Sequence, residues 1–151
     1  MGPIIVSACL LGVKCVYDGS SNENSIIVEL SNRSLFISIC PEQLGGVPTP
    51  RIPQCIESGS GEDVLKGKTK VINRNNEDVS MNFIKGAQEA LLVAKINKLK
   101  LAILKESSPS CGVNFIYNKR DDKEAKTRGS GVTTALLKQN GLKVLSENDL
   151  L

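Results

Sequence analysis

Short apolar runs, each closed by turn-forming residues, recur along this chain. Ile4-Ile-Val6 is β-branched throughout and leads into a turn, so it reads as a buried strand. Leu35-Phe-Ile-Ser-Ile39 and Leu101-Ala-Ile-Leu104 read the same way. Phe115-Ile-Tyr117 and Leu142–Leu145 are expected as two further strands. Between these runs the apolar spacing changes from two to three or four. Ile26, Ile27 and Leu30 share one side of a short helix over Ser25–Ser31. Phe83, Ala87, Ala90, Leu91 and Ala94 recur at helical spacing, predicting the longest helix, capped by Asp78 or Ser80 and running to about Lys98. Lys95, Lys98 and Lys100 near its end suit the negative pole of the helix dipole. Gly131–Gln139 predicts another helix, stopped by Asn140-Gly141, and Glu147–Leu151 a terminal helical turn.

Two stretches resist this pattern. Cys40 to Asp63 reads as a long irregular segment with four prolines and four glycines, and loops of that length inside a domain are commonly functional. After it, Val64–Asn73 is expected as one or two short strands around Gly67. Asn118–Thr127 is a charged excursion, read as a solvated hairpin or flap. The remaining order alternates strand and helix, which argues for parallel βαβ units. The fold class is therefore α/β: residues 1–151 as a single domain, a mainly parallel Rossmann-like sheet flanked by helices, with a ligand crevice at the strand carboxyl ends.

Composition narrows the chemistry. The chain has 151 residues, 40% hydrophobic and 23% charged, with a net charge of +3. No run approaches the roughly 20 apolar residues of a membrane span, and the N-terminus carries no secretion-signal pattern. The expected location is the cytoplasm, where thiols stay reduced. Aromatics are 3% of residues, too few for the stacking platforms of nucleic-acid polymers. There is no histidine, which removes Ser-His-Asp and Cys-His sites and every His-ligated metal.

Against that background the cysteines stand out. Cys9, Cys40 and Cys111 each lie just past an apolar β-like run, so neighbouring parallel strands would bring the three thiols to one crevice. Three thiolates suit an iron–sulfur cluster with one iron left open. Zinc with an open fourth position is the rival, and three small side chains packed as hydrophobes the plainer alternative. Cys15 is close enough in sequence to Cys9 to be a further ligand or a disulfide partner, and Cys55, in the proline-rich loop, is read as incidental. Glu42, two residues after Cys40, is placed to hold or move a proton. Ser108 and Ser110 flank Pro109 before Cys111, where hydroxyls would orient a substrate or tune sulfur. Lys105 and Glu106 read as an ion pair. Gly129-Ser-Gly131 opens a helix; it matches no phosphate-binding fingerprint and reads as glycine needed for close packing.

Several blocks together resemble a known family. They are Ser7-Ala-Cys-Leu-Leu-Gly12, Tyr17-Asp-Gly19, Cys40-Pro-Glu-Gln-Leu-Gly-Gly-Val-Pro-Thr-Pro-Arg51, Lys105-Glu-Ser-Ser-Pro-Ser-Cys-Gly112 and the Gly129–Leu137 stretch. In order and spacing they resemble a short bacterial family long described as a domain of unknown function and related to the catalytic domain of thiouracil desulfidase. The resemblance runs from about Ser7 to Glu147. It implies a 4Fe-4S (four-iron four-sulfur) cluster held by Cys9, Cys40 and Cys111. It also implies non-redox desulfuration of a thiolated nucleobase, assisted by Glu42 and Ser108. Two departures stand out: Val16 and Ser107 occupy positions where the family commonly carries Arg, the usual fork for phosphate or carbonyl groups.

The expectation is an oxygen-sensitive desulfidase acting on a small thiouracil-like substrate, with no nucleic-acid polymer or membrane as partner. Two other classes remain open at this point. One is a zinc- or redox-sensing thiol module without catalysis. The other is a small-molecule or nucleotide-binding domain using the Gly129–Gly131 helix start.

Overall fold

The apolar runs at Ile4–Ser7 (β1), Phe36–Ile39 (β2), Leu101–Leu104 (β5) and Lys143–Ser146 (β8) pair into one parallel sheet of order β2-β1-β5-β8. A computed structural model describes residues 2–120 and 123–150. Register runs from Ile4 opposite Phe36 to Ser7 opposite Ile39, and from Leu101 opposite Lys143 to Leu104 opposite Ser146. All four residues of β1 are buried, as expected of a parallel strand covered on both faces. The period of two sorts its side chains. Ile5 packs with Ala90, Ala94 and Leu137 on one side, while Ile4 and Val6 pack with Leu10 and Ile27 on the other.

These layers come from three helices. Ser25–Leu30 (α1) is capped by Asn24, whose side-chain oxygen accepts the amides of Ile26 and Ile27 at 3.0 and 3.2 Å. Ser80–Ile96 (α4) buries Phe83, Ala87, Ala90 and Ala94, the spacing read from the sequence. Asp78 accepts the Ser80 amide at 2.9 Å while the Ser80 hydroxyl accepts the amide of Val71 at 2.8 Å. Val132–Gln139 (α5) is followed by Gly141 at φ +87°, a left-handed position that suits glycine. No helix among the described residues is long and apolar enough to cross a membrane.

The structure departs from the sequence reading between Cys40 and Asn73. That segment holds Pro41–Leu44 (α2), Gln54–Ile56 (β3), Gly61–Leu65 (α3) and Val71–Asn73 (β4). Pro41 is tolerated because it occupies the first helical turn, where its missing N–H has no partner to lose. Val64 and Leu65 are helical rather than extended: the Asp63 carboxylate accepts the Ser60 amide at 3.0 Å and starts the helix at Gly61. The two three-residue strands fall below the length at which periodicity can be read. They join Phe115–Arg120 (β6) and Lys123–Arg128 (β7) in a second, mixed sheet of order β4-β3-β6-β7, beside the single parallel sheet expected. The charged excursion is the antiparallel β6–β7 hairpin, in register from Phe115–Arg128 to Arg120–Lys123. Asp121 and Asp122 of that run, like Leu151 of the terminal turn, lie outside the described residues.

Ile56, Val71, Phe83, Ala87, Ile116 and Val132 form the core under this second sheet. Phe83 is 1% exposed and, by ordinary transfer energies, contributes about 1.5–3 kcal/mol. Helix α4 therefore serves both sheets, with its C-terminal half against the first and its N-terminal half against the second.

Candidate functional site

Three neighbouring strands of the parallel sheet deliver one thiol each. β1 ends at Ser7 and passes directly into a 3-10 turn, Ala8–Leu11, which carries Cys9 and is closed by Gly12 at φ +101°. β2 ends at Ile39, and the next residue, Cys40, caps α2. β5 ends at Leu104, and the loop that follows carries Cys111. The chain runs from β1 to β2 on one side and returns to β5 on the other. The crevice between β1 and β5 is thus a topological switch point, the usual ligand position in open α/β sheets.

The Cys111 loop is held by a buried anion. Oε1 of Glu106, a residue 4% exposed, accepts the amides of Val113, Asn114 and Phe115 at 2.8, 2.8 and 2.9 Å and that of Ser107 at 3.3 Å. Its Oε2 accepts Asn114 Nδ2 at 2.9 Å. Burial opposes the charge, but the backbone donors of Phe115, Asn114 and Val113 outweigh it and hold the carboxyl below its ordinary value. Lys105 does not pair with the Glu106 carboxylate. Its Nζ lies 2.9 Å from Glu147 and donates to the Glu106 carbonyl at 3.1 Å. On the far side the loop packs on α5. The amides of Val132 and Thr133 donate to Pro109 and Ser110, and Thr134 Oγ1 donates to the Cys111 carbonyl. Those first-turn amides are spent on protein, so this helix start has no anion cradle to offer a nucleotide. The glycine does what the packing reading expected: a Cβ on Gly131 would sit 2.5 Å from the Ser110 carbonyl atoms.

The three thiols line one cavity of about 520 Å³ together with Cys15, Glu42, Ser108 and Ser110. All five cysteines are free thiols. Cys55 is buried on β3, outside this wall. Cys15 pairs with both Cys9 and Cys40 in the cavity wall. Its thiol is pushed far up by that pairing, Cys9 is drawn down, and Cys40 is drawn to about 6. Burial pushes Cys111 up. Polar groups point at the sulfurs: Asn22 Nδ2 at 3.7 Å from Cys9, Ser110 Oγ at 3.7 Å from Cys111, and Ser7 beside Cys111. Among the described residues no three Cys, Asp or Glu side chains converge tightly enough to share a single metal ion. Thiols spread around one cavity, with hydrogen-bond donors aimed at them, fit a cluster in which each thiolate takes its own iron.

Beside the thiols lies a carboxylate–hydroxyl group. Glu42 Oε2 accepts from Ser110 Oγ at 3.1 Å and from Ser108 Oγ at 3.5 Å, and the two hydroxyls are 3.0 Å apart. Ser108 Oγ also accepts the amides of Ser110 and Cys111, each at 3.1 Å, so its own proton is directed at Ser110 or Glu42. The family resemblance pairs Glu42 with Ser108 for substrate placement and proton transfer; of the two serines, Ser110 is the hydroxyl nearer to Glu42. Arg51 was legible only as the end of a motif, yet its guanidinium contacts Glu42 at 2.9 Å and is almost fully buried.

The chain as a whole has counterparts among known proteins. A model of the 2-thiouracil desulfurase family matches residues 4–149. The chain belongs to that family. A relative from Bacillus subtilis (strain 168), the uncharacterised protein YbbK, is 47% identical over 147 residues, covering 97% of each chain. The solved structure of the 4Fe-4S-dependent thiouracil desulfidase TudS superposes with a TM-score of 0.85 at 38% identity, covering 99% of this chain and 93% of that one. Val16 and Ser107, the two positions where the resemblance implies arginine, both line the cavity, and Ser107 holds φ +71°. The cavity does have an arginine at its rim, Arg74, paired with Glu124 at 3.1 Å.

Proposed function

We propose that this protein is a 4Fe-4S-dependent desulfidase that replaces the sulfur of a thiolated nucleobase, such as thiouracil, with oxygen. One observation carries the reading: the three strand-end thiols line the same cavity as the Glu42–Ser108–Ser110 group. The family match and the likeness to TudS support it. Residues 1–151 act as one desulfidase-like unit, in a reducing compartment such as the cytoplasm, where all five cysteines stay free.

Cys9, Cys40 and Cys111 hold the cluster. When bound, it would supply one iron without a protein ligand, acting as Lewis acid and sulfur acceptor. The remaining work belongs to the chain. Ser7 and Asn22 donate to the ligand sulfurs and fix their orientation, while Ser110 gives its one hydroxyl proton to Glu42. Lys105, on the cavity wall, offsets negative charge near Cys9. Glu42 takes a proton from the water that attacks the thiocarbonyl carbon, within hydrogen-bond reach of Ser108 and Ser110, which orient that water or the substrate. In balance, a thiocarbonyl and one water give a carbonyl and one hydrogen sulfide, with no net redox change. Cys15 stays outside the ligand set, beside Cys9 and Cys40 in the cavity wall.

Anaerobic reconstitution with iron and sulfide tests this. About four iron and four sulfide per chain should be incorporated, and the loaded protein should bleach the thiocarbonyl absorbance of thiouracil while releasing sulfide. Cys111→Ser should abolish both. An iron content unchanged by Cys111→Ser, or none in the wild type, would overturn the assignment.

A further inference from the structure

The guanidinium of Arg51 is spent inside the protein. Nε donates to Glu42 Oε1 at 2.9 Å, Nη2 to the Cys15 carbonyl at 2.9 Å, and Nη1 to Thr49 Oγ1 at 2.8 Å and the Pro48 carbonyl at 3.3 Å. Its side chain is 4% exposed, and that of Glu42 13%. The Arg51 amide in turn donates to the Tyr17 carbonyl at 2.7 Å. A side chain so occupied is not available to grip a substrate phosphate. It instead joins the Cys9–Tyr17 loop, the proline-rich segment after α2, and the carboxylate at the start of α2.

We propose that Arg51 is the positioning residue of the site. By holding Oε1 of Glu42 it leaves Oε2 facing Ser108 and Ser110, and by holding the Cys15 carbonyl it fixes that carboxylate relative to the loop that carries Cys9. The inference rests on the desulfidase reading for its functional consequence, though not for its geometry. A carboxylate has two oxygens and free rotation about its last bonds. With both anchored, one to a planar fork and one to two hydroxyls, it has a single orientation. Arginine suits this because its donors are fixed in one plane, whereas a lysine would supply a point charge with no direction. A misplacement of about 1 Å at such a group is enough to slow chemistry by about a hundredfold.

The test compares Arg51→Gln and Arg51→Lys in the wild-type and Glu42→Gln backgrounds, on anaerobically reconstituted full-length protein. Arg51→Gln should keep its iron content and lower kcat by about 10–100-fold, with KM changed by less than about twofold. Arg51→Lys should recover only part of that loss. In the Glu42→Gln background, Arg51→Gln should change kcat by less than about twofold, because the group it orients is already gone. An equal loss in both backgrounds would mean a general structural role and overturn the proposal. The double variant removes both members of the buried pair and so avoids a stranded charge if the single variant folds poorly. A crystal structure of Arg51→Gln gives the second readout. Glu42 turned away from Ser110 supports the proposal, and an unchanged Glu42–Ser110 contact rejects it. If the wild type shows no desulfuration, the functional reading fails, and the crystal structure still decides the role of Arg51.

Discussion

Glu106 shows how one buried residue on the cavity wall shapes the loop that carries a thiol. Four amides and one side-chain amide converge on its carboxylate. They belong to Ser107 and to the Val113–Phe115 stretch, so the anion closes the loop that carries Cys111 as a ring. The Lys-Glu pair that precedes Ser107 in sequence suggested a mutual salt bridge. Sequence adjacency misled there, because the buried carboxylate finds backbone donors of its own while Lys105 reaches across to Glu147. Glu106→Gln keeps one acceptor but turns an amide donor toward Asn114 Nδ2. Loss of the charged hydrogen bonds should cost about 1.5–3 kcal/mol at neutral pH, read by urea unfolding. The pH dependence has a definite sign. The folded carboxyl titrates below its unfolded value of about 4.3, so its contribution is complete above that pH and disappears as pH falls through the folded value. The wild type should therefore lose stability in acid more steeply than Glu106→Gln. Parallel acid limbs for the two proteins would show that this carboxylate is not the stabilising anion.

At the scale of elements, the close approaches made by glycine decide where the thiols go. Helix α5 presses its first turn against the Ser108–Cys111 loop through Gly131, and α2 meets α4 through Gly45 and Gly86, where added Cβ atoms would strike backbone of Asn82 and Pro41. The second contact seats the helix that Cys40 caps. Gly131→Ala should push the Cys111 loop away from α5. The expected outcome is reduced iron incorporation and lower thermal stability, whereas alanine at an open exposed glycine such as Gly67 should leave iron content unchanged; its φ of +74° still predicts some loss of stability. Metal analysis beside thermal unfolding of both variants checks this. The parallel strands and helices α4 and α5 were legible in the sequence because each is long enough, or apolar enough, to show its period. β3, β4, α2 and α3 were not. Each has five residues or fewer, and prolines and glycines around them signalled loop. Their pairing with β6 and with one another is fixed by tertiary contacts that no local pattern records. The strand-end positions of Cys9, Cys40 and Cys111 needed only the legible elements, which is why these residues stood out. Arg51, reached through the illegible segment, did not.

The whole molecule divides labour between its two sheets. The parallel sheet supplies the thiols from its carboxyl edge, while Gln54, Tyr117 and Glu124 of the mixed sheet, with Arg74 just past β4, contribute the outer wall of the same cavity. Both tyrosines of the chain, Tyr17 and Tyr117, face this cavity, and each is 42% exposed. Apolar rings at the mouth of a cavity suit a flat nucleobase, since stacking on an aromatic side chain is worth about 1–3 kcal/mol. Tyr117 lies on β6, outside the parallel sheet, and the sulfur-directed donors identified at the thiols come from other residues, so its removal separates substrate binding from cluster binding. Tyr117→Ala should raise KM for thiouracil about tenfold, equivalent to about 1.4 kcal/mol. Iron content and kcat should stay near the wild-type values, and stability should change by about 0.5 kcal/mol or less, as for an exposed side chain. Steady-state kinetics on anaerobically reconstituted protein, with iron quantified in the same samples, distinguishes the outcomes. A fall in kcat with unchanged KM would place Tyr117 in the chemistry instead of the wall, and a fall in iron content would mean that the two sheets do not act independently.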